Sequence, residues 1–76
     1  MTAIHLSTAG LASDWTAITI ETTLRRLVGV ARVAVVRSLG IVSVLFDERS
    51  SSAEKILAAV RAAGVDARLY QRGHLR

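Results

Sequence analysis

The sequence of 76 residues contains no cysteine. This absence excludes a disulfide framework, an iron–sulfur cluster, a thiolate metal site and a cysteine nucleophile. The chain also has no proline and only 5 glycines, which argues against collagen-like, proline-rich and flexible-linker segments. With 51% apolar and 21% charged residues, it lies far from the composition of disordered proteins. We therefore expect one small domain built mostly of helices and strands.

Long apolar runs and a secretory leader are also missing. No stretch approaches the roughly 18 successive apolar residues that a membrane-spanning helix needs. The first ten residues, MTAIHLSTAG, have no basic segment ahead of an apolar one. We therefore expect a cytoplasmic protein, or a cytoplasmic part of a larger one, without a membrane span of its own. The net charge of +4 is concentrated in the second half, and we expect a domain over 1–71 followed by a basic, disordered tail over 72–76.

Alternating apolar residues predict four strands. Three of them are expected over 3–8, 41–46 and 65–70, and a β-branched strand is expected in the run that begins at Val30. A tight turn around Leu39 and Gly40 should join the second strand to the third. The apolar residues predicted to point inward are Ile4, Leu6, Val33, Val35, Val42, Val44, Phe46, Val65, Ala67 and Leu69.

Two segments between these strands show the spacing of amphipathic helices. The first should begin with Ser13 or Asp14 as its N-cap and stop at Gly29. The second should open with a capping box formed by Ser51 and Glu54. The residues predicted on the buried sides of the two helices are Ala17, Ile20, Leu24 and Leu27, then Ile56, Leu57, Val60 and Ala63.

The resulting order, βαββαβ, predicts an α+β, ferredoxin-like fold with both helices on one face of a four-stranded antiparallel sheet in the order 4-1-3-2. On the open face, apolar side chains among arginines suggest a protein-contact patch. Because modules of this shape that bind RNA stack bases on aromatic residues of the central strands, and such residues are missing here, nucleic-acid binding is not expected. The open face is predicted to carry His5, Arg32, Ala34, Val36, Ser43, Leu45 and Arg68.

Short motifs spaced along the chain resemble a known family. They are GLASDWT over 10–16, IE over 20–21, GV over 29–30, VSVLFD over 42–47 and GV over 64–65. In this order they resemble the heavy-metal-associated domain of copper chaperones and of the N-terminal regions of heavy-metal P-type ATPases. The resemblance runs from Ile4 to Tyr70. It implies a ferredoxin-like fold and a place in metal transport.

The sequence departs from this family at the metal ligands. The family pattern GMTCxxC has two cysteines, and Ser13 and Thr16 stand in their places. Neutral hydroxyls cannot replace thiolates as ligands for Cu(I), Hg(II) or tetrahedral Zn(II), so we expect no cofactor and no tight binding of soft metals. A weak site for a harder divalent ion, formed by Ser13, Asp14 and Thr16 with help from His5 or a partner, is the alternative. Helix capping is favoured over it because the positive end of a helix repels cations.

Catalysis is not expected, since no nucleophile stands beside a base and no pair of carboxylates converges. The leading hypothesis is a regulatory or interaction module, either the N-terminal cytoplasmic domain of a heavy-metal P-type ATPase or a related stand-alone protein. A small-ligand-sensing or dimerising regulatory domain is the remaining alternative. The partner would be another domain of a metal transporter, a separate protein or a second copy.

In the resembling family the loop and the start of the first helix form the docking surface. Carried onto this sequence, that surface comprises Leu11, Trp15, Ile18, Arg25 and Arg26. Trp15 has two readings of equal weight: an exposed anchor for a partner, or a side chain folded over Leu11 to cover the end of the core.

Overall fold

The computed structural model of the chain describes residues 1–11 and 13–70. The strands are β1 (Thr2–Thr8), β2 (Val30–Val36), β3 (Ile41–Phe46) and β4 (Ala67–Leu69), and the helices are α1 (Asp14–Arg25) and α2 (Ala53–Ala62). Their order is the predicted βαββαβ. Within this part of the chain, no helix has the length and apolar character needed to cross a membrane. The predicted tail over 72–76 lies outside the described residues.

The four strands form one antiparallel sheet in the order β2-β3-β1-β4, which is the predicted order read from the other edge. Leu6 lies opposite Val42, and Ile4 lies opposite Val44. On the other side of β3, Val33 faces Val44. Since directly opposed residues point to the same face, the register collects these apolar side chains on one face of the sheet. The strands β2 and β4 are the two edges.

Both helices cover this apolar face. Helix α1 contributes Ile20 and Leu24 to the core, and helix α2 contributes Ile56 and Val60; all four are fully buried. The predicted helix stripes and strand faces are therefore confirmed. Other core residues are Leu6, Leu11, Val33, Val42, Val44, Phe46, Val65 and Ala67, with Ile4, Ala17, Leu27, Val30, Val35, Leu57 and Leu69 partly buried against them.

The end of the first helix differs from the prediction. Helix α1 ends at Arg25 rather than reaching Gly29, and the chain leaves it through a turn in which the Leu27 amide donates to the Leu24 carbonyl at 3.1 Å. Gly29 does have a positive φ of 92°, but it does not cap the helix. The close approach of Ser50 explains why a glycine is needed here. A Cβ atom at this position would lie 2.9 Å from the Cβ of Ser50. Gly29 thus lets two connections pass each other at this end of the sheet.

The start of the second helix is shifted by one residue from the prediction. The N-cap is Ser52, whose hydroxyl accepts a hydrogen bond from the Lys55 amide at 3.1 Å. Ser51 belongs instead to the preceding turn, in which its amide donates to the Asp47 carbonyl, and its side chain is buried there. In α1, Ser13 occupies the predicted N-cap position, yet its side chain makes no capping hydrogen bond.

The connection between β2 and β3 is a 3-10 turn over Arg37–Leu39 that ends at Gly40, whose φ is 65°. Strand β4 is shorter than predicted at its beginning, since the Val65 amide completes the end of α2 by donating to the Val60 carbonyl at 3.3 Å. Both connections lie at the end of the sheet where β1 ends. This end also carries the loop that joins β1 to α1.

Candidate functional site

The loop over 9–13 joins the end of β1 to α1 and is held by backbone hydrogen bonds to two neighbouring connections. The Thr8 amide donates to the Gly40 carbonyl at 2.9 Å, and the Ala9 amide donates to the Asp66 carbonyl at 3.0 Å. Within the loop, the Ser13 amide donates to the Gly10 carbonyl at 3.0 Å. Three connections that are distant in sequence therefore meet at one end of the molecule.

Leu11 does not lie on the predicted docking surface. Only 2% of its surface is exposed, and it belongs to the core cluster. The loop turns at Gly10, where φ is 75°, and this turn directs the next side chain inward. Leu11 therefore fixes the loop to the core, and its assignment to the surface is corrected.

Arg37 connects the β2–β3 turn to the loop. Its Nη1 lies 2.6 Å from the Asp14 Oδ1, and its Nε donates to the Leu11 carbonyl at 3.2 Å. Neither contact of Arg37 is evident from the sequence pattern. The predicted topology places the turn and the loop at the same end of the sheet, but nothing in strand alternation indicates which arginine reaches Asp14.

Of the candidate metal ligands, the one carboxylate already has a partner. Asp14 pairs with a guanidinium, which opposes the approach of a cation to the same carboxylate. Across residues 1–11 and 13–70, no group of three histidine, cysteine, aspartate or glutamate side chains is placed to hold a metal. His5 lies on the open face of the sheet, where its Nδ1 and the Ser43 hydroxyl are 2.7 Å apart. The structure therefore does not bring His5 to Ser13, Asp14 and Thr16.

Helix α1 presents two large apolar side chains to solvent. Trp15 is 69% exposed and Ile18 is 62% exposed. They are three residues apart in a helix and so lie next to each other. Trp15 does not fold over Leu11, and the covering role considered for it is not what the structure shows. We call Trp15, Ile18, Arg25 and Arg26 the α1 surface.

The two arginines of the α1 surface lie at the end of the helix. Arg25 forms an ion pair with Glu21, in which Nη2 and Oε2 are 2.8 Å apart, and Arg26 is the C-cap residue. Both side chains are exposed, and their positive charge suits the negative end of the helix dipole. Their part in docking stays a prediction.

One carboxyl group at the opposite end of the sheet has a perturbed pKa. A hydrogen bond from the Thr2 hydroxyl, followed by one from the N-terminal ammonium, lowers the pKa of the exposed Glu48. Thr2 begins β1, whereas the loop follows the end of this strand. This titration therefore takes place at the end of the sheet opposite the loop and Trp15.

Comparison of structures reveals similarity that comparison of sequences does not, since no protein-family model and no curated protein matches the chain. The copper-binding domain from HMA7, a P-type ATPase, superimposes with a TM-score of 0.87 at 22% identity, over 93% of this chain and 96% of that one. Oxidized MerP from Ralstonia metallidurans CH34 gives 0.85 at 26% identity, over 92% and 97%. A chain of the Atx1–Cu(I)–Ccc2a complex gives 0.79 at 22% identity, over 93% and 97%.

These similarities confirm the fold and the resemblance predicted from the sequence. The chain has the ferredoxin-like fold of the heavy-metal-associated domains found in metal chaperones and at the N-termini of P-type ATPases.

Proposed function

We propose that this chain is a protein-interaction module that retains the heavy-metal-associated fold without tight binding of soft metals. It would act in the cytoplasm by contacting another domain of a heavy-metal P-type ATPase, or a separate protein of metal transport, through the α1 surface. The observation that carries the proposal is the exposure of Trp15 and Ile18 beside a loop whose two ligand positions are Ser13 and Thr16.

The chemistry of the loop argues against capture of Cu(I). The side chains at the ligand positions are neutral hydroxyls, which bind soft ions poorly. The neighbouring carboxylate of Asp14 is already paired with Arg37. A harder cation would have to displace this guanidinium and would also face the positive end of α1. The alternative of a weak divalent site is therefore disfavoured by contacts within the protein.

The α1 surface has the chemistry of a contact site. Tryptophan, isoleucine and arginine combine a large apolar area with charge, and buried tryptophan and arginine side chains dominate the binding energy of many protein interfaces. A tryptophan buries about 150–250 Å² when it is fully covered. The Atx1–Cu(I)–Ccc2a complex supports the proposal because it is an assembly that contains a domain of this fold.

The contact is tested by titrating the chain with the purified cytoplasmic domains of a heavy-metal P-type ATPase from the same organism. Trp15 is the only tryptophan, so its fluorescence reports on this surface in the wild type, while isothermal titration calorimetry measures the affinity of every variant, including the one that lacks this fluorophore. We expect Trp15→Ala to weaken binding by about 30-fold, the equivalent of about 2 kcal/mol. Leu39→Ala is the matched control because Leu39 is equally exposed but lies in the β2–β3 turn. Equal binding by wild type and Trp15→Ala would refute the assignment of the surface.

The metal part of the proposal has its own experiment. In competition with a Cu(I) chelator the chain should take up no Cu(I), and Zn(II) should bind no tighter than roughly 10 µM, because hydroxyls and one carboxylate are its only ligands in the loop. Asp14→Asn is the control that removes this carboxylate. Stoichiometric submicromolar binding that Asp14→Asn abolishes would establish the divalent site in place of the contact module.

A further inference from the structure

Strand β2 is an exposed edge with the properties of an association site. It has seven residues, VARVAVV, whereas the opposite edge strand β4 has three. Its single charged residue is Arg32, and it contains no proline. Ala34 and Val36 are exposed on its open side. Apart from Arg32 and a bulge near its start, this edge has no protecting feature, and among residues 1–11 and 13–70 no strand lies beyond it. Its outer backbone groups are therefore open to pairing with another strand.

Only part of β2 has the regular backbone that continuous pairing with another strand requires. The register with β3 shifts between Val30 and Arg32, which leaves Ala31 as a bulge. At the other end, Arg37 begins the 3-10 turn. The regular segment is therefore 32–36, and its central residue is Ala34.

We propose that a second copy of this chain pairs with β2 in the antiparallel direction, with Ala34 opposite Ala34 of the copy. This register places Val33 opposite Val35 and Arg32 opposite Val36, so the whole regular segment is paired. Pairs of β-branched residues stabilise antiparallel strands. The small alanine lies on the two-fold axis, where two side chains of one kind must fit side by side. The pairing itself uses the edge of β2 and not Trp15, although Ile18 and Arg25 of the α1 surface lie close to it.

Neighbouring registers are less favourable for definite reasons. Centring the pair on Arg32 would place two guanidinium groups directly opposite each other, which is destabilising. Centring it on Val33 would place the bulged Ala31 opposite Val35. In the proposed register the two Arg32 residues are four positions apart along the strands, about 13 Å, which exceeds the Debye length of about 8 Å at physiological salt.

Helix α1 adds charge complementarity to this pairing. A groove of about 400 Å³ lies between α1 and β2, with Asp14 and Ile18 at the Arg37 end of the strand. Arg25 lies beside the other end of β2, near Val30. The two-fold axis brings the helices of the two copies together in opposite directions. Asp14 of each copy, which pairs with Arg37 in its own chain, then lies toward Arg25 of the other, which pairs with Glu21, so these exposed ion pairs can extend across the contact. The exposed Ile18 side chains approach near the axis.

The contact area sets the strength of this dimer. One pair of five-residue strands with a helix contact on one side should bury less than the roughly 1,200 Å² of accessible surface that is typical of a stable interface. We therefore expect the dimer to form only at high protein concentration. The order of charges on α1 complements an antiparallel copy of itself, which is why a second copy is preferred here to an unrelated strand.

Disulfide trapping tests the register. The natural chain has no cysteine, so Ala34→Cys can form a single crosslink. Directly opposed residues of antiparallel strands have Cα atoms about 4.5–5.5 Å apart, within the range of a disulfide. We expect Ala34→Cys to dimerise under mild oxidation about tenfold faster than Ala58→Cys, which alters an exposed alanine of α2. Equal rates for the two variants would overturn the proposal.

Sedimentation equilibrium tests the association without a crosslink. Ala34→Lys places like charges at the axis and should weaken dimerisation by roughly fivefold, while Ala58→Lys should leave it unchanged. Trp15→Ala should also leave it unchanged, because Trp15 takes no part in the pairing, and this separates the two proposals at that residue. Circular dichroism of each variant serves as the control for correct folding. A wild-type chain that stays monomeric at about 1 mM, or equal dimerisation by Ala34→Lys and Ala58→Lys, would refute the β2 contact.

Discussion

At the scale of single residues, the segment from the loop into α1 divides its apolar side chains between core and solvent. Leu11 is buried, while Trp15 and Ile18 are exposed. A buried leucine leaves a cavity when it is truncated, whereas an exposed isoleucine gives up contacts with water. Residues of similar chemistry and position in the chain therefore have different roles.

We predict that Leu11→Ala lowers the free energy of unfolding by about 2–5 kcal/mol, because it removes buried contacts and opens a cavity. Ile18→Ala, the control on the same segment, should change it by about 0.5 kcal/mol or less. Urea unfolding followed by circular dichroism measures both values. A small effect of Leu11→Ala would mean that the loop is not anchored in the core.

Some residue assignments could not be made from the sequence for a physical reason. The inward direction of Leu11 depends on the backbone turn at Gly10, and periodicity carries no information through a turn. The ion pair of Asp14 with Arg37 depends on tertiary structure. The exposure of Ile18 was predictable, because it lies off the stripe of Ala17, Ile20 and Leu24.

At the scale of elements, the two helices begin differently although both have serine at the N-cap. Ser52 accepts a hydrogen bond from the Lys55 amide, and Ser13 makes no such bond. The side-chain oxygen of an N-cap satisfies an amide that the helix itself leaves unpaired. The stabilisation from capping should therefore be concentrated in α2.

We predict that Ser52→Ala destabilises the fold by about 1 kcal/mol, the usual cost of losing an N-cap hydrogen bond. Ser13→Ala changes the same residue type at the same helix position and should cost clearly less. The comparison uses thermal unfolding of the two variants and wild type. Equal losses would show that the Ser13 hydroxyl caps α1 in solution.

The elements themselves were well predicted from the sequence. Alternation over Val42, Val44 and Phe46 identified both the third strand and its buried face. Successive side chains of a strand point to opposite faces, so when one face of the sheet is covered, only one set of alternate residues can be buried. Element ends were less accurate, as in the cap at Ser52 rather than Ser51. Each of the successive serines before α2 fits the N-cap preference for serine equally well. The burial of Ser51 in the preceding turn leaves Ser52 as the cap.

At the scale of the whole molecule, the fold persists with hydroxyl side chains at both ligand positions. The core is built from residues of all four strands and both helices, with no contribution from Ser13 or Thr16. Fold and metal affinity should therefore be separable properties of this chain, as expected when function resides in a site carried by a common fold.

We predict that Ser13→Cys combined with Thr16→Cys creates Cu(I) binding that the wild-type chain is proposed to lack. The two substitutions supply the thiolates that soft ions need, on a backbone with the family's fold. Competition with a Cu(I) chelator measures the gain, and each single variant is a control. A correctly folded double variant without Cu(I) affinity would contradict the assignment of these positions to the ligand pair.

The central place of β1 in the sheet has a consequence for the kinetics of folding. The first strand in sequence lies between β3 and β4, and Leu6 must find both Val42 and Leu69 before its pairing is complete. Only β2 and β3 are neighbours in both sequence and space. In a chain dominated by such non-local pairing, long loops must close before most native contacts form, and the entropy lost in closing them lowers the folding rate. On a ribosome, the completed sheet must wait until β4 has left the exit tunnel, so β1 spends the synthesis of the chain with at least one unpaired edge.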